Sequence, residues 1–262
     1  MNNAAKIMRY QLRDIVRGRW LVAYVLVFGL MTDVLFRFGG TGDRVVLSLM
    51  NVVLLLVPLV SVIFGTMYLY HSREFMVMLL AQPVDRRSLY LGLYGGMALP
   101  LAGGFALGVG LPFLWHPGAG HYRAALTTLV LTGVMLTLAF TALAFLVAVL
   151  FEDRATGLGV AVLLWLLTAV VYDGAVLALV AMFQQYPLER PLIGLTLLNP
   201  IDLGRILLLL QFDIAALMGY TGAVFQRFFG SRLGEGIAFG ALVLWILLPF
   251  VVGLRRFRVK DF

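Results

Sequence analysis

Six long apolar runs are the feature of this sequence that most restricts what it can fold into. Their bounds are Trp20 to Phe38, Val45 to Tyr70, Leu89 to Trp115, Ala124 to Phe151, Gly157 to Phe183 and Gly236 to Leu254. A hydrocarbon core about 30 Å thick is crossed by about 20 apolar residues when they form an α-helix. The runs therefore predict an integral membrane protein with six transmembrane helices.

The composition supports a helical membrane protein. Of the 262 residues, 62% are hydrophobic and 13% are charged, whereas soluble domains have roughly 45–50% and 25%. The runs are continuous, while the strands of a membrane barrel alternate over about ten residues. We expect an all-α fold with one transmembrane domain over residues 1–262. Residues 20–183 would hold the first five spans, and residues 236–262 the sixth span and a basic tail.

Basic residues near the ends of the spans predict the orientation, because Lys and Arg tend to stay on the cytoplasmic side. Most of the 20 basic residues lie in the two termini, in the second loop and in the fourth loop. Both termini should therefore face the cytoplasm, in the cytoplasmic (inner) membrane of a bacterium. The net charge of +7 then lies against lipid headgroups, and we expect no nucleic-acid partner.

Residues 1–19 have the pattern of an amphipathic helix. Apolar residues recur at helical spacing, with basic residues between them. We predict an interfacial helix on the inner surface, which serves as an anchor or also contacts a cytoplasmic partner. A basic start followed by an apolar run is also typical of a signal peptide, but no small-residue cleavage site is present. The first span should therefore be retained.

The loop between the second and third spans contains a short helix pattern. Residues 74–82, EFMVMLLAQ, lack Gly and Pro, begin with the acid Glu74 and are followed by Pro83. The apolar centre includes Phe75, Met78 and Leu79, which suit a groove on another protein. Arg86 and Arg87 follow and could bind acidic side chains or lipid phosphate. Packing under the chain's own bundle is the alternative.

The sequence offers no site for ATP and only a weak one for a metal. A phosphate-binding loop needs a Gly-Lys pair, but the two lysines, Lys6 and Lys260, do not follow glycine. Cysteine is absent, so no disulfide or thiolate site can form. His116 and His121 lack a third ligand, which favours interfacial histidines in a turn over a metal site. We expect the chain to bind no cofactor and to catalyse no reaction.

Ionisable residues inside apolar runs are functional candidates, because their insertion into a membrane is costly. Asp33 has Arg37 four residues further on, which predicts a structural ion pair. Asp173 has no partner nearby in the sequence. The third run also has two pairs of glycines at four-residue spacing, Gly92 with Gly96 and Gly104 with Gly108. Such small faces allow close helix packing, either within the bundle or across a dimer.

Residues 184–235 should form an outer loop with short helices. In LLNPIDLGRILLLL, Asn199 is a candidate N-cap, Pro200 suits the first helical position and Asp202 lies in the first turn, followed by Arg205. The apolar part is too short to cross the membrane, so it should be re-entrant or interfacial. A second segment, which contains Phe225 and Phe228, could cap the bundle or receive an outer partner.

This organisation resembles that of the permease subunits of ABC-2 type transporters. In that family the second-to-third loop runs from an acid through an apolar stretch to Leu-Leu, Pro and Arg, and then into a span with Gly-Lys. Matching residues occur here in the same order: Glu74, Leu79, Leu80, Pro83, Arg86 and Gly92. Two positions differ, because the usual Gly-Thr after the acid is missing and Leu93 replaces a Lys. The Asn-Pro-x-Asp stretch resembles that of the NosY-like permeases, which serve maturation of the copper enzyme nitrous oxide reductase.

The resemblance implies partners and a mechanism. Residues 74–83 would be a coupling helix in a groove of a cytoplasmic ABC ATPase, which would bind ATP and Mg²⁺. Two copies would form a homodimer, and the outer loop would meet a periplasmic accessory protein of the NosD type. The alternatives are general export of a lipid, drug or polysaccharide, and an ion-coupled secondary carrier that uses Asp33 and Asp173.

Overall fold

The computed structural model of the chain describes residues 3–38, 42–81, 84–116, 123–183, 189–210 and 232–260. Within these ranges every regular element is helical and no strand occurs, which confirms the all-α class. The elements are α1 Asn3–Arg17, α2 Arg19–Phe38, α3 Gly42–His71, α4 Arg73–Leu80, α5 Arg86–Gly110, α6 Pro112–Trp115, α7 Arg123–Leu150, α8 Arg154–Leu166, a π-helical segment Leu167–Val171, α9 Tyr172–Met182, α10 Glu189–Leu197, α11 Pro200–Leu209 and α12 Arg232–Val259.

Six helical stretches in the described ranges are long and apolar enough to cross a membrane, which confirms the predicted spans. They are Arg19–Phe38, Arg44–His71, Arg86–Leu114, Ala124–Leu150, Arg154–Met182 and Leu233–Val259. Each begins within a few residues of the predicted start. The sixth span ends at Val259 rather than at Leu254, because the helix continues into the basic tail.

The fourth span, α7, is the centre of the bundle. It packs against α3, α5 and α12, and 72% of its most apolar window is buried. Phe140 and Phe145 are fully buried on it. The fifth span is the opposite case, since only 6% of its window is buried within the chain.

The two glycine pairs on α5 are covered by α1 and α2. A Cβ atom added to Gly92 would lie 2.7 Å from Ile7, and one added to Gly96 would lie 2.5 Å from the Gln11 side chain. Further along α5, a Cβ on Gly104 would approach Leu21 of α2 to 3.1 Å. Of the two uses that the sequence left open for these glycines, the structure shows close packing within the bundle.

Helix α1 is amphipathic, as the sequence predicts. Ile7, Gln11 and Ile15 are buried one turn apart along its face against α5. Arg9 and Arg13 lie on the exposed side. This arrangement suits a helix at a membrane surface, and its interfacial position remains a prediction.

Candidate functional sites at the two ends of the bundle

One end of the bundle is where α3, α7 and α12 finish and where α5 and α8 begin. We call it the α4 end, because α4 joins the end of α3 to the start of α5. Tyr70 at the end of α3 donates a hydrogen bond of 2.9 Å to the carbonyl of Phe151, just after α7. Arg86 at the start of α5 reaches the carbonyl of Lys260 beyond α12. These contacts pair the end of α3 with the end of α7, and the start of α5 with the end of α12.

The predicted short helix at this end is α4, residues Arg73–Leu80, with Glu74 in its first turn. Met76 is its only fully buried residue, and Leu79 is half-buried. The ring of Phe75 stacks on that of Tyr10 in α1, with centroids 6.1 Å apart. One predicted contact residue therefore packs inside the chain, in line with the alternative for this segment.

The other side of α4 is exposed. Glu74, Val77, Met78 and Ala81 are all exposed, and they recur at the spacing that places residues on one face of a helix. Val77 and Met78 have 51% and 57% of their surface exposed. We call these four residues the exposed α4 face. Val77 and Ala81 were not singled out from the sequence, although the three- and four-residue spacing from Glu74 was present to be read.

The two arginines after α4 have different environments. Arg86 donates hydrogen bonds from Nη1 to the carbonyls of Arg258, at 2.9 Å, and Lys260, at 2.6 Å. Arg87 is exposed. Pro83 lies outside the described residues. The guanidinium of Arg86 is thus occupied by backbone carbonyls, while that of Arg87 is accessible to a partner.

Two ionisable groups at the α4 end, outside the spans, have shifted pKa values. Burial and the positive charge of Arg73 lower the pKa of the Lys260 ammonium. Hydrogen bonds from the hydroxyl and the backbone N–H of Thr156 lower the pKa of the Asp153 carboxyl. Asp153 is the N-cap of α8 and accepts the backbone bond at 2.7 Å. This cap fixes where the fifth span begins.

The second candidate site is built on α10 and α11. The two helices form a pair bent by 111°, with the local features expected for the start of α11. The Asn199 side chain caps the helix by accepting a bond from the backbone N–H of Ile201, Pro200 is at the first positions, and Asp202 is in the first turn. Those three local predictions are confirmed.

The turn between α10 and α11 lies level with the middle of two spans. Asn199 donates to the carbonyl of Thr168, in the middle of the fifth span, at 2.8 Å. Trp245, in the middle of the sixth span, donates to the carbonyl of Leu197 at 3.2 Å. Non-helical backbone at this depth is tolerated when protein groups satisfy it. This geometry favours the predicted re-entrant arrangement.

Asp173 has a partner that the sequence did not reveal. Arg205 of α11 binds the Asp173 carboxylate through Nη2 at 2.8 Å and the Asp202 carboxylate through Nη1 at 2.9 Å. Asn199 donates a further bond to Asp202 at 3.1 Å. We call Asp173, Asn199, Asp202 and Arg205 the polar cluster. It ties the fifth span to the α10–α11 pair.

The polar cluster lies beside a π-helical segment and a cleft. The segment, Leu167–Val171, interrupts the fifth span and ends two residues before Asp173, and such bulges are frequent at functional sites. A cleft of about 300 Å³ is lined by polar-cluster residues and by apolar side chains of α9, α10 and α11. This volume is at the lower bound of small-molecule sites.

The remaining candidate residues occupy other places. Arg37 binds Asp33 at 2.8 Å, as the four-residue spacing predicted. The Nε2 atom of His116 lies 3.6 Å from the same carboxylate, which ties the end of α2 to the segment after α6. Phe225, Phe228 and His121 lie outside the described residues. Among the residues that the structure does describe, no group of three or more His, Asp or Glu side chains could hold a metal ion.

Comparison with known proteins agrees with this arrangement. The family model described as "ABC-2 family transporter protein" matches residues 47–262. A protein of Pseudomonas aeruginosa called "Probable ABC transporter permease protein NosY" is 28% identical over 264 residues, covering 94% of this chain and 92% of that protein. A protein of the same name from Stutzerimonas stutzeri is 25% identical over 272 residues, covering 97% and 95%. The family match includes α4 and the polar cluster.

Proposed function

The chain belongs to the ABC-2 family of transporter proteins, and from this premise we propose that it is the permease subunit on which a separate cytoplasmic ATPase acts. ATP hydrolysis by that subunit would drive export, or would transmit force to a periplasmic partner. The observation that carries this proposal is the exposed α4 face, which has an acid followed by two apolar side chains at the end of the bundle.

The positions of the two lysines indicate that ATP binds to a subunit other than this chain. A phosphate-binding loop presents its Lys directly after Gly, whereas Lys6 follows Ala5 and Lys260 follows Val259. Lys260 is also engaged within the chain, since its ammonium donates to the carbonyl of Val149 at 2.7 Å. ATP and Mg²⁺ therefore belong to the partner subunit.

The exposed α4 face has the properties of a docking surface. Val77 and Met78 would bury apolar area in a groove, and Met adapts its shape to a partner. Glu74 and Arg87, both exposed, would add charge contacts at the rim. Because α4 also stacks on α1 through Phe75 and Tyr10, movement of the ATPase would reach the first span as well.

The charge distribution supports a cytoplasmic location for the α4 end. Both termini, α4 and the start of α8 carry the basic residues that favour that side of a bacterial inner membrane. The opposite end, with α10 and α11, then faces the periplasm. The low burial of the fifth span, at 6%, supports a homodimer in which a second copy covers this helix.

The names of the two relatives favour a narrower role. Both are called probable NosY permeases, which agrees with the resemblance of the Asn-Pro-x-Asp stretch. We assign the chain to maturation of nitrous oxide reductase, with a periplasmic accessory protein at the α10–α11 end. Export of a lipid, drug or polysaccharide is the second candidate, and the cleft beside Arg205 favours it.

Co-purification tests the proposed function. The tagged chain would be extracted from its native membrane in mild detergent, and bound ATPase would be measured for the wild type and for Glu74→Arg combined with Met78→Asp. The two substitutions should lower the affinity at least tenfold, which corresponds to a loss of about 1.4 kcal/mol, so the variant should retain much less ATPase than the wild type. The matched control, Glu235→Arg with Leu233→Asp, makes the same changes at the other end and should retain it. Wild-type protein without an ATPase, or a variant that binds as well as wild type, would overturn the proposal.

A further inference from the structure

Two arginines flank the chain between α3 and α5: Arg73 begins α4, and Arg86 begins α5. Arg73 is the first residue of α4, and its guanidinium donates from Nη1 to the Glu152 carbonyl at 2.7 Å and from Nη2 to the Phe151 carbonyl at 3.2 Å. The ring of Tyr70 lies 4.5 Å from the guanidinium carbon. Arg73 therefore connects the start of α4 to the end of α7, the most buried span.

Arg86 makes the equivalent connection after α4. Its guanidinium donates to the carbonyls of Arg258 and Lys260, at 2.9 and 2.6 Å, where α12 ends. The Lys260 ammonium in turn donates to the Val149 carbonyl in the last turn of α7. The end of α12 is thus connected both to the start of α5 and to the end of α7.

Helix C-termini favour these contacts for a general reason. The last carbonyls of a helix lack partners within it, and they carry the negative end of the helix dipole. A guanidinium offers several donors in a planar fork and stays charged. The contacts of Arg73 and Arg86 are therefore directional as well as electrostatic, which suits a joint that passes on a movement.

We propose that Arg73 and Arg86 are positioning residues: Arg73 joins α4 to the end of the fourth span, and Arg86 joins the start of the third span, which follows α4, to the end of the sixth. Displacement of α4 would then move those spans. This proposal rests on the proposed function, because it assumes that an ATPase moves α4. It is distinct from docking, since neither guanidinium belongs to the exposed α4 face. Removal of either arginine should leave the ATPase bound. The movement of the ATPase should then no longer reach the end of the bundle opposite the α4 end.

The absence of cysteine makes this separation measurable. Cysteines introduced at Leu114 and Met182, which are 80% and 79% exposed and lie away from the α4 end, would carry spin labels in a chain with no other thiol. The complex with its co-purified ATPase would be placed in nanodiscs. The distances between the labels, within one copy and between the two copies of the proposed homodimer, would be measured by double electron–electron resonance without nucleotide and with ATP and vanadate.

The expected results differ between variants. The wild type should show a nucleotide-dependent change in distance, and Arg73→Gln and Arg86→Gln should lose it while they retain the ATPase. Arg255→Gln is the matched control, because Arg255 is an exposed arginine at the same end, and it should respond as the wild type does. Arg73→Lys should not restore the change in distance. The guanidinium of Arg73 places Nη1 on one carbonyl and Nη2 on another, and the single nitrogen of a lysine ammonium cannot occupy both positions. Arg86→Lys should restore it in part, since Arg86 uses one nitrogen.

Three outcomes would overturn the proposal, and they are distinguishable from one another. In the first, the wild type and both glutamine variants retain the ATPase and show the same change in distance. The contacts of Arg73 and Arg86 are then not needed for the movement, and only the proposal for these two arginines fails. If the wild type binds the ATPase but shows no change with nucleotide, force transmission fails too. Loss of the ATPase from the glutamine variants but not from Arg255→Gln would assign the arginines to docking instead.

Discussion

At the scale of single residues, the polar cluster has one positive charge for two carboxyl groups. Arg205 lies between Asp173 and Asp202, and between 14% and 32% of each of these side chains is exposed. Removal of Arg205 would leave two carboxyl groups side by side without their counter-charge, in a place that water reaches only partly. Removal of Asp173 would leave one complete ion pair. The guanidinium should therefore matter more than either acid.

Arg205→Ala should destabilise the protein by roughly 1–3 kcal/mol, because breaking a partly buried ion pair leaves polar groups unsatisfied. Asp173→Asn should have a smaller effect, since the contact of Arg205 with Asp202 remains. Arg37→Gln is the matched control, because the Arg37 side chain is 66% exposed and surface pairs contribute about 0–1 kcal/mol. Thermal unfolding in detergent measures the change in stability of the three variants. Equal effects of Arg205→Ala and Arg37→Gln would show that the polar cluster does not hold α11.

Local spacing explains which charged contacts the sequence could predict. Asp33 and Arg37 are one helical turn apart, so their pair followed from helical geometry alone. Asp173 and Arg205 are on different helices, and their contact depends on where the α10–α11 pair folds back. The usable signal was the presence of two opposite charges in apolar segments, of which Asp173 has no charged neighbour in sequence.

At the scale of elements, α1 and α2 lie along α5 because its glycines leave room. Buried Ile7 and Gln11 occupy the space beside Gly92 and Gly96. The position of α1 matters for function, since Tyr10 on its exposed side meets Phe75 of α4. Helix α1 thus contacts α4 and leads directly into the first span.

Gly96→Val should push α1 away from α5, because a Cβ at that position would lie 2.5 Å from the Gln11 side chain and overpacking costs about 1–3 kcal/mol. The readout is maleimide labelling of a cysteine introduced at Gln11, a residue that is buried in the parent chain. Labelling should rise in Gly96→Val. Gly103→Val is the control, since a Cβ on Gly103 meets nothing within 4 Å. Equal labelling in both variants would mean that the position of α1 does not depend on the α5 face that contains Gly96.

The elements that the sequence predicted well are those with a local cause. The spans follow from apolar length, and the start of α11 follows from a cap and a proline in consecutive positions. The π-helical segment at Leu167–Val171 and the packing of α1 on α5 have no such local cause. They depend on contacts between distant parts of the chain, which pattern and propensity do not describe.

At the scale of the whole molecule, the chain has a buried centre and two candidate functional sites. The fourth span is enclosed by its neighbours, while the fifth span is almost uncovered within one chain. Contacts at the α4 end join α4, α5, α7 and α12, and the polar cluster joins α9 to α11 near the middle of the fifth span. This arrangement suits a subunit that receives force at one end and presents a moving surface at the other.

Site-specific photo-crosslinking in native membranes tests the central claim most directly. A benzophenone side chain would replace Met78 on the exposed α4 face in one variant. In the other it would replace Leu114, which is at the opposite end and is 80% exposed. The account predicts a light-dependent adduct between the chain and an ABC ATPase from position 78, and none from position 114. An ATPase adduct from position 114, or none from position 78 in cells that contain the ATPase, would contradict it.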